Sequence, residues 1–239
     1  MNKERLKTGL EMMGVAADET ALDRFEAFHA ILDEYNARMD LTAVLDEDER
    51  VDRHDLDSAA PLAHVLLAQG AKVIDVGTGA GFPGMPLLIL RPDLQITFLD
   101  ALNKRILFLE DALARLGLKA ETLHARAEDA AKMAAHREQY DAAVSRAVAN
   151  AATLEELTLP FVKKGGVAIA WKGPGVADEL TAARRAAFLL GGTVRGTVDA
   201  PIPRRADWAH VLLLTDKTGT TPKAYPRKAG TPGKKPLGM

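Results

Sequence analysis

The sequence predicts an α/β fold of the Rossmann-like kind, a seven-stranded, mostly parallel sheet with an antiparallel last strand behind an N-terminal helical extension. Three observations carry this. From Lys72 onward short apolar runs alternate with amphipathic stretches, the signature of βαβ units. A glycine-rich turn in KVIDVGTGAGFPG (72–84) links the first strand to the next helix. Before Lys72 no strand pattern appears, and the apolar residues follow helical spacing alone.

The elements follow in order. Over 1–65, Leu22, Phe25, Phe28, Leu32, Tyr35 and Met39 recur every three or four residues behind Asp18, a natural N-cap. A second region, 66–216, carries strands expected at 72–76, 95–99, 121–124, 140–144, 166–171, 193–198 and 208–214. Helices are expected at 83–90, 103–116, 129–137, 150–159 and 176–190, punctuated by Pro92, Gly117, Gly165 with Gly166, and Gly191 with Gly192. The link between the last two strands holds Pro201 and Pro203 and has no convincing helix, which favours an antiparallel pair. The Gly, Pro, Lys and Thr content of 217–239 reads as a basic flexible tail.

Composition narrows the function classes. Hydrophobic residues make up 47% and charged residues 27%, the balance of a globular chain, and no apolar run nears the roughly 20 residues of a membrane span. The start carries Lys3, Glu4, Arg5 and Lys7 and has no signal pattern, so a cytoplasmic protein without a membrane partner is expected. Cysteine is absent, which excludes disulfides, thiolate metal sites and sulfur nucleophiles. The six histidines show no ligand spacing, so no metal is expected. The net charge of −2 is unevenly spread: six of the 31 basic residues lie in 217–239 without an acid, leaving 25 against all 33 acids before them. A tail of +6 opposing a body of −8 suggests a polyanionic partner.

The glycine loop is the strongest signal. Gly77, Gly79 and Gly81 allow tight-turn torsions and close approach of a ligand to the backbone, and Pro83 suits a first helical position. Two cofactors compete for it. Gly79, Gly81 and Gly84 literally fit the dinucleotide fingerprint, yet that register leaves Asp75 and Gly77 inside the strand. Counting from Asp75 gives DxGxGxG across the strand-to-helix turn, a pattern shared with methyltransferases that use S-adenosylmethionine (SAM). Asp100, ending the second strand, is placed to accept from ribose hydroxyls with either cofactor, or to cap the helix that follows.

The segments VIDVGTGAGFPGMPLLIL, RHDLDS (53–58), LNKR (102–105), SRAVA (145–149) and YPRKAGTPGKKPL together resemble the RsmG (GidB) family, over nearly the whole chain. The resemblance implies a class I SAM-dependent methyltransferase acting on N7 of a guanine in 16S ribosomal RNA, and with it rRNA processing in the small subunit. It implies that Asp75, Gly77, Gly79, Gly81, Phe82 and Asp100 form the cofactor site. Ala127 and Glu128 would meet the adenine, and Arg146 would close the site and serve as the candidate for positioning. Lys172, Arg227, Lys228, Lys234 and Lys235 are the expected RNA contacts. Asp40 stands where the family tends to have Asn before Leu41 and Thr42, so these residues stay outside the expected site. His54 and Trp171 are read as structural.

The chemistry agrees with this. Guanine N7 offers an in-plane lone pair without losing a proton, so no general base is required. Methylation at cytosine C5 typically uses a cysteine, which is absent, and adenine amino methylation typically uses Asn or Asp followed by Pro-Pro-aromatic, where this chain has Ser145-Arg146-Ala147-Val148. The competing readings are a small-molecule or protein methyltransferase, a nicotinamide-dependent oxidoreductase and a catalytically idle RNA-binding adaptor. A polymeric substrate asks for an open face, which favours a monomer.

Overall fold

The computed structural model describes residues 1–205 and 207–239. The extension opens with α1 (Lys3–Met12) and α2 (Glu19–Asn36). Asp18 caps α2, its carboxylate accepting from the Ala21 N–H at 2.7 Å. The helical spacing puts Leu22, Phe25, Phe28 and Leu32 on one buried face. A further helix runs in three parts: α3 (Glu47–Arg50), a wider π-helical stretch over Val51–Leu56, and α4 (Asp57–His64). Pro61 lies inside α4 and has no N–H to offer the Asp57 carbonyl one turn earlier.

The sheet has its seven strands: β1 (Lys72–Val76), β2 (Gln95–Asp100), β3 (Glu121–His124), β4 (Tyr140–Arg146), β5 (Val162–Lys172), β6 (Gly192–Asp199) and β7 (Val211–Lys217). Their spatial order is β3-β2-β1-β4-β5-β7-β6. β7 runs antiparallel to both β5 and β6, and the other contacts are parallel. Helices α5 (Gly84–Leu90), α6 (Asn103–Leu116), α7 (Ala127–Ala130), α8 (Ala151–Thr158) and α9 (Val176–Leu189) make the connections. The extension packs on one face of the sheet, sharing one core with Val73, Ile96, Ala142 and Ile169, and Phe28 lies 5.6 Å from Phe82 and 6.2 Å from Phe108, centroid to centroid. Ile74, Leu99, Ala143 and Phe161 build the core on the other face. Strand order reverses between β1 and β4, which opens a crevice at their carboxyl ends.

Three expectations change. The helix expected at 129–137 contracts to Ala127–Ala130, because Arg137 turns back to donate to the carbonyls of Ala131, Thr221, Pro222 and Tyr225. Gly165 and Gly166 do not precede β5 but lie inside it, at a bulge where a Cβ on Gly166 would stand 2.4 Å from the Asp141 carbonyl.

The tail expected to be flexible is instead packed. Lys217 is buried at the end of β7, donating to the Leu159 carbonyl at 2.8 Å and pairing with Glu138 at 3.1 Å. Arg227 forms a bidentate pair with the fully buried Glu156, and a short helix, α10 (Thr231–Lys234), follows. A Gly/Pro-rich composition signals disorder only when its backbone groups lack partners, and here Arg137 and Glu156 supply them.

Candidate active site

The glycine loop lies at the carboxyl end of β1, in the crevice. Gly77, Gly79 and Gly81 have φ of +73°, +60° and +89°, the left-handed region that favours glycine. A Cβ on Gly77 would stand 2.8 Å from a Val148 methyl, and one on Gly81 would meet Met85 and Leu109. Asp75 sits behind the loop rather than in the crevice. Its Oδ2 accepts from the Thr78 hydroxyl at 2.6 Å and the Gly84 N–H at 2.9 Å, and burial pushes its pKa up to about 6. Asp75 therefore braces the turn. Asp100 faces the crevice and accepts from the N–H groups of Gly79 at 3.0 Å and Leu102 at 2.8 Å and from Arg105 at 3.2 Å. It thus holds both the loop and Leu102, the residue before α6, which itself has no side-chain cap.

Three adjoining cavities line this edge. The first, about 270 Å³, is walled by Val76, Ala101, Ala127, Glu128, Leu157 and Pro232. The buried Glu128 accepts from the Gly230 N–H at 2.7 Å, so the C-terminal segment closes this end. The second, about 570 Å³, contains Gly77, Gly79, Phe82, Asp100, Arg105 and Arg146. The third, about 460 Å³, contains Arg53, Asp57, Arg146, Trp171, Lys172 and His210. Gly77, Asp100 and Val148 border the first two, and His54, Arg146 and Ala147 border the last two. A further cavity of about 500 Å³ lies at the opposite edge of the sheet, where Lys72 and Gln95 begin their strands. Open α/β folds bind ligands at the carboxyl edge, which favours the adjoining three.

Arg146, ending β4, is held by the protein itself. It donates to Asp57 at 2.9 Å and to the Arg53 carbonyl at 2.7 Å, and its guanidinium stands 5.5 Å from the Phe82 ring centroid. His54 stacks on Phe82 at 4.4 Å and bonds Thr42 Oγ1 at 2.8 Å. Burial, with Arg146 alongside, drives the His54 pKa down to about 3, so the ring is neutral near pH 7. Asp40 is exposed, and Asn36 holds this turn, its Oδ1 accepting from Leu41 and Thr42.

The residues expected to meet RNA divide into two groups. Lys172 pairs with Glu179 at 2.7 Å, and Arg227 is occupied by Glu156. Lys228, Lys234 and Lys235 are exposed, on the segment that closes the first cavity. Sequence reasoning missed Arg53, His54, Asp57, Trp171 and His210 as lining residues. One signal was available: Arg53 and Asp57 stand four apart, a helical spacing that puts them on one face.

Solved structures share this architecture. A TehB-like SAM-dependent methyltransferase from Corynebacterium glutamicum superposes with a TM-score of 0.50 at 16% identity, covering 81% of this chain and 97% of that one. The fibrillarin pre-rRNA processing protein of Methanococcus jannaschii gives 0.52 at 17% identity, covering 68% and 74%. The fold is that of the class I, Rossmann-like methyltransferases. The family model for GidB, rRNA small subunit methyltransferase G, matches residues 21–204. Ribosomal RNA small subunit methyltransferase G of Clostridium perfringens (strain 13 / Type A) is 42% identical over 233 residues, 97% of each chain. The chain belongs to the GidB family of methyltransferases.

Proposed function

We propose that this enzyme transfers a methyl group from SAM to N7 of a guanine in 16S ribosomal RNA, acting as a cytoplasmic monomer on the RNA or the small subunit. Family membership supports the substrate class. The observation that carries the reading is the glycine-loop cavity opening, past Arg146, into a cavity with several cationic side chains. Among the described residues no helix is long and apolar enough to cross a membrane, and no cluster of metal-ligating side chains occurs.

The residues fit SAM. The turn at Gly77 leaves no room for a side chain, the Asp100 carboxylate stands at the strand end where ribose hydroxyls are accepted, and the loop cavity of about 570 Å³ lies within the roughly 300 to 1,000 Å³ of small-molecule sites. Ala101, Ala127 and Glu128 would hold the adenine, with Glu128 accepting from its amino group. Bound SAM supplies a methyl group on a positively charged sulfur, already activated toward a nucleophile. His54, kept neutral, adds no positive charge to the wall it forms with Phe82.

The protein's contribution is placement. Guanine N7 is nucleophilic without deprotonation, so aligning it with the methyl carbon is the main task, and alignment supplies about 7 to 11 kcal/mol in well-oriented reactions. Arg146, fixed between Asp57 and the Arg53 carbonyl, positions the acceptor side without rearranging.

The test is transfer of labelled methyl from SAM to 30S subunits and to naked 16S RNA, with product nucleosides identified. Labelled N7-methylguanosine is expected, and none with Gly77→Asp, whose side chain would strike Val148. SAM binding without labelled RNA would sink the reading.

A further inference from the structure

We propose that the cavity beside Arg146 is the guanine pocket, in which Asp57 aims Arg146 and His210 at the base's O6 and Trp171 forms a wall. This rests on the reading of the enzyme as a guanine methyltransferase and adds how it distinguishes guanine from adenine.

The pocket is built around Asp57. Its carboxylate is almost fully buried, with one oxygen accepting from Arg146 at 2.9 Å and the other bonded to His210 Nδ1 at 3.0 Å. Two donors from β4 and from the residue before β7 are thus fixed by one group on α4. The Asp57 backbone acts as well. Pro61 cannot donate to the Asp57 carbonyl, which instead accepts from the Trp171 indole N–H at 2.8 Å. That bond locks the indole, which lines the cavity from the end of β5.

Beside His210 and Arg53, which line the cavity, stands an aromatic and arginine cluster, with Arg205 paired to Asp52 at 2.8 Å and Arg53 3.7 Å from Glu49. Trp208 stacks on His210 at 5.4 Å, and the guanidinium groups of Arg53 and Arg205 lie 4.4 and 4.5 Å from the Trp208 ring centroid. A cluster of this kind suits a nucleotide whose base enters and whose phosphates stay outside. Asp57 also raises the His210 pKa, which favours the ring as a donor at both nitrogens.

Chemical complementarity selects the base. Beside N7, guanine presents the O6 acceptor, where adenine presents an amino donor. Arg146 is a donor only, and His210, whose Nδ1 faces Asp57, becomes one at Nε2 when the ring takes the proton that Asp57 favours. They match O6 and oppose the adenine amino group, while N7 stays free for the methyl. Asp57 acts through the other two and is a positioning residue. His210 is the residue the pocket places against the base.

The experiment compares small subunits reconstituted with guanine or with 2-aminopurine, which keeps N7 and lacks O6, at the target position. The enzymes are the unaltered protein, His210→Ala and Asp57→Asn, with SAM affinity measured on each. The unaltered enzyme is expected to prefer guanine by roughly ten- to a hundredfold in kcat/KM, the discrimination of a good base contact. His210→Ala should lose most of that preference while SAM affinity stays within about twofold. His210 is one-third exposed, so this variant tests the idea even if Asp57→Asn fails to fold. Full preference for guanine in His210→Ala would overturn the pocket. No methylation of guanine by the unaltered enzyme would instead overturn the proposed function.

Discussion

The two ends of the cleft are built by opposite means. At the first cavity, Ala101, Ala125 and Ala127 line the space, the Gly230 N–H donates to Glu128, and one wall is chain from the far C-terminus. At the third, charged side chains hold one another: Arg146, Asp57 and His210 meet with Trp171 alongside. The first arrangement would suit a flat apolar ring, and that wall is a single segment of chain. The second is a fixed array of donors whose orientation costs nothing further when a base arrives. A donor that must be held and an acceptor that must come from a polymer call for these different solutions.

Arg227→Ala strikes only the first end and should have the largest effect. It leaves Glu156 buried without its cation, a loss of about 3 to 5 kcal/mol for a broken buried pair. Urea unfolding should show this loss, and SAM affinity should fall because the segment carrying Gly230 and Pro232 is released. A raised KM for RNA with normal SAM affinity would assign Arg227 to the RNA and break the contrast between the two ends.

The glycine loop joins both ends, and Asp75 beneath it gives the next largest effect. Its pKa is raised in the fold, so the unfolded chain releases the proton first as pH rises. Stability should therefore fall between about pH 4 and pH 6, by about 3 kcal/mol for a shift of this size. Asp75→Asn keeps an acceptor for Thr78 and Gly84 and should lose that slope. Urea melts across this range that fall in parallel for both proteins would show that Asp75 is not the group responsible. A gentler perturbation is Lys228, Lys234 and Lys235 all to Ala, which should lower the salt dependence of RNA binding by about 2 in log–log slope. Unchanged slope would place the RNA elsewhere.

These variants also show what the sequence made legible. The glycine loop, the period of α2 and the short Pro-containing link before β7 each act within a few residues, and local chemistry was enough to place them. Asp100 could be placed at the crevice because it ends a strand, whereas Glu128 came from the family resemblance. The third cavity was not found, because Asp57 and His210 meet across 153 positions and neither carries a local motif. Trp171 read as core, which its burial supports, but its indole N–H bonds a carbonyl left open by a proline on another helix. The C-terminal segment was misread for the same reason: its partners, Arg137 and Glu156, lie far away in sequence.

The smallest expected effect isolates that proline. Trp171→Phe keeps an aromatic ring but removes the indole N–H and part of the buried bulk; the unpaired Asp57 carbonyl accounts for about 1 to 2 kcal/mol of the loss. Pro61→Ala restores an N–H one helical turn from the same carbonyl. In the Pro61→Ala background, Trp171→Phe should cost less by about 1 kcal/mol, because the carbonyl has another donor while the packing loss is unchanged. The two sites would then couple in a double-mutant cycle on urea stability. Strict additivity would mean that the indole bond contributes nothing. The wall of the third cavity would then be held by packing alone, and the contrast between the two ends would rest on Asp57 only.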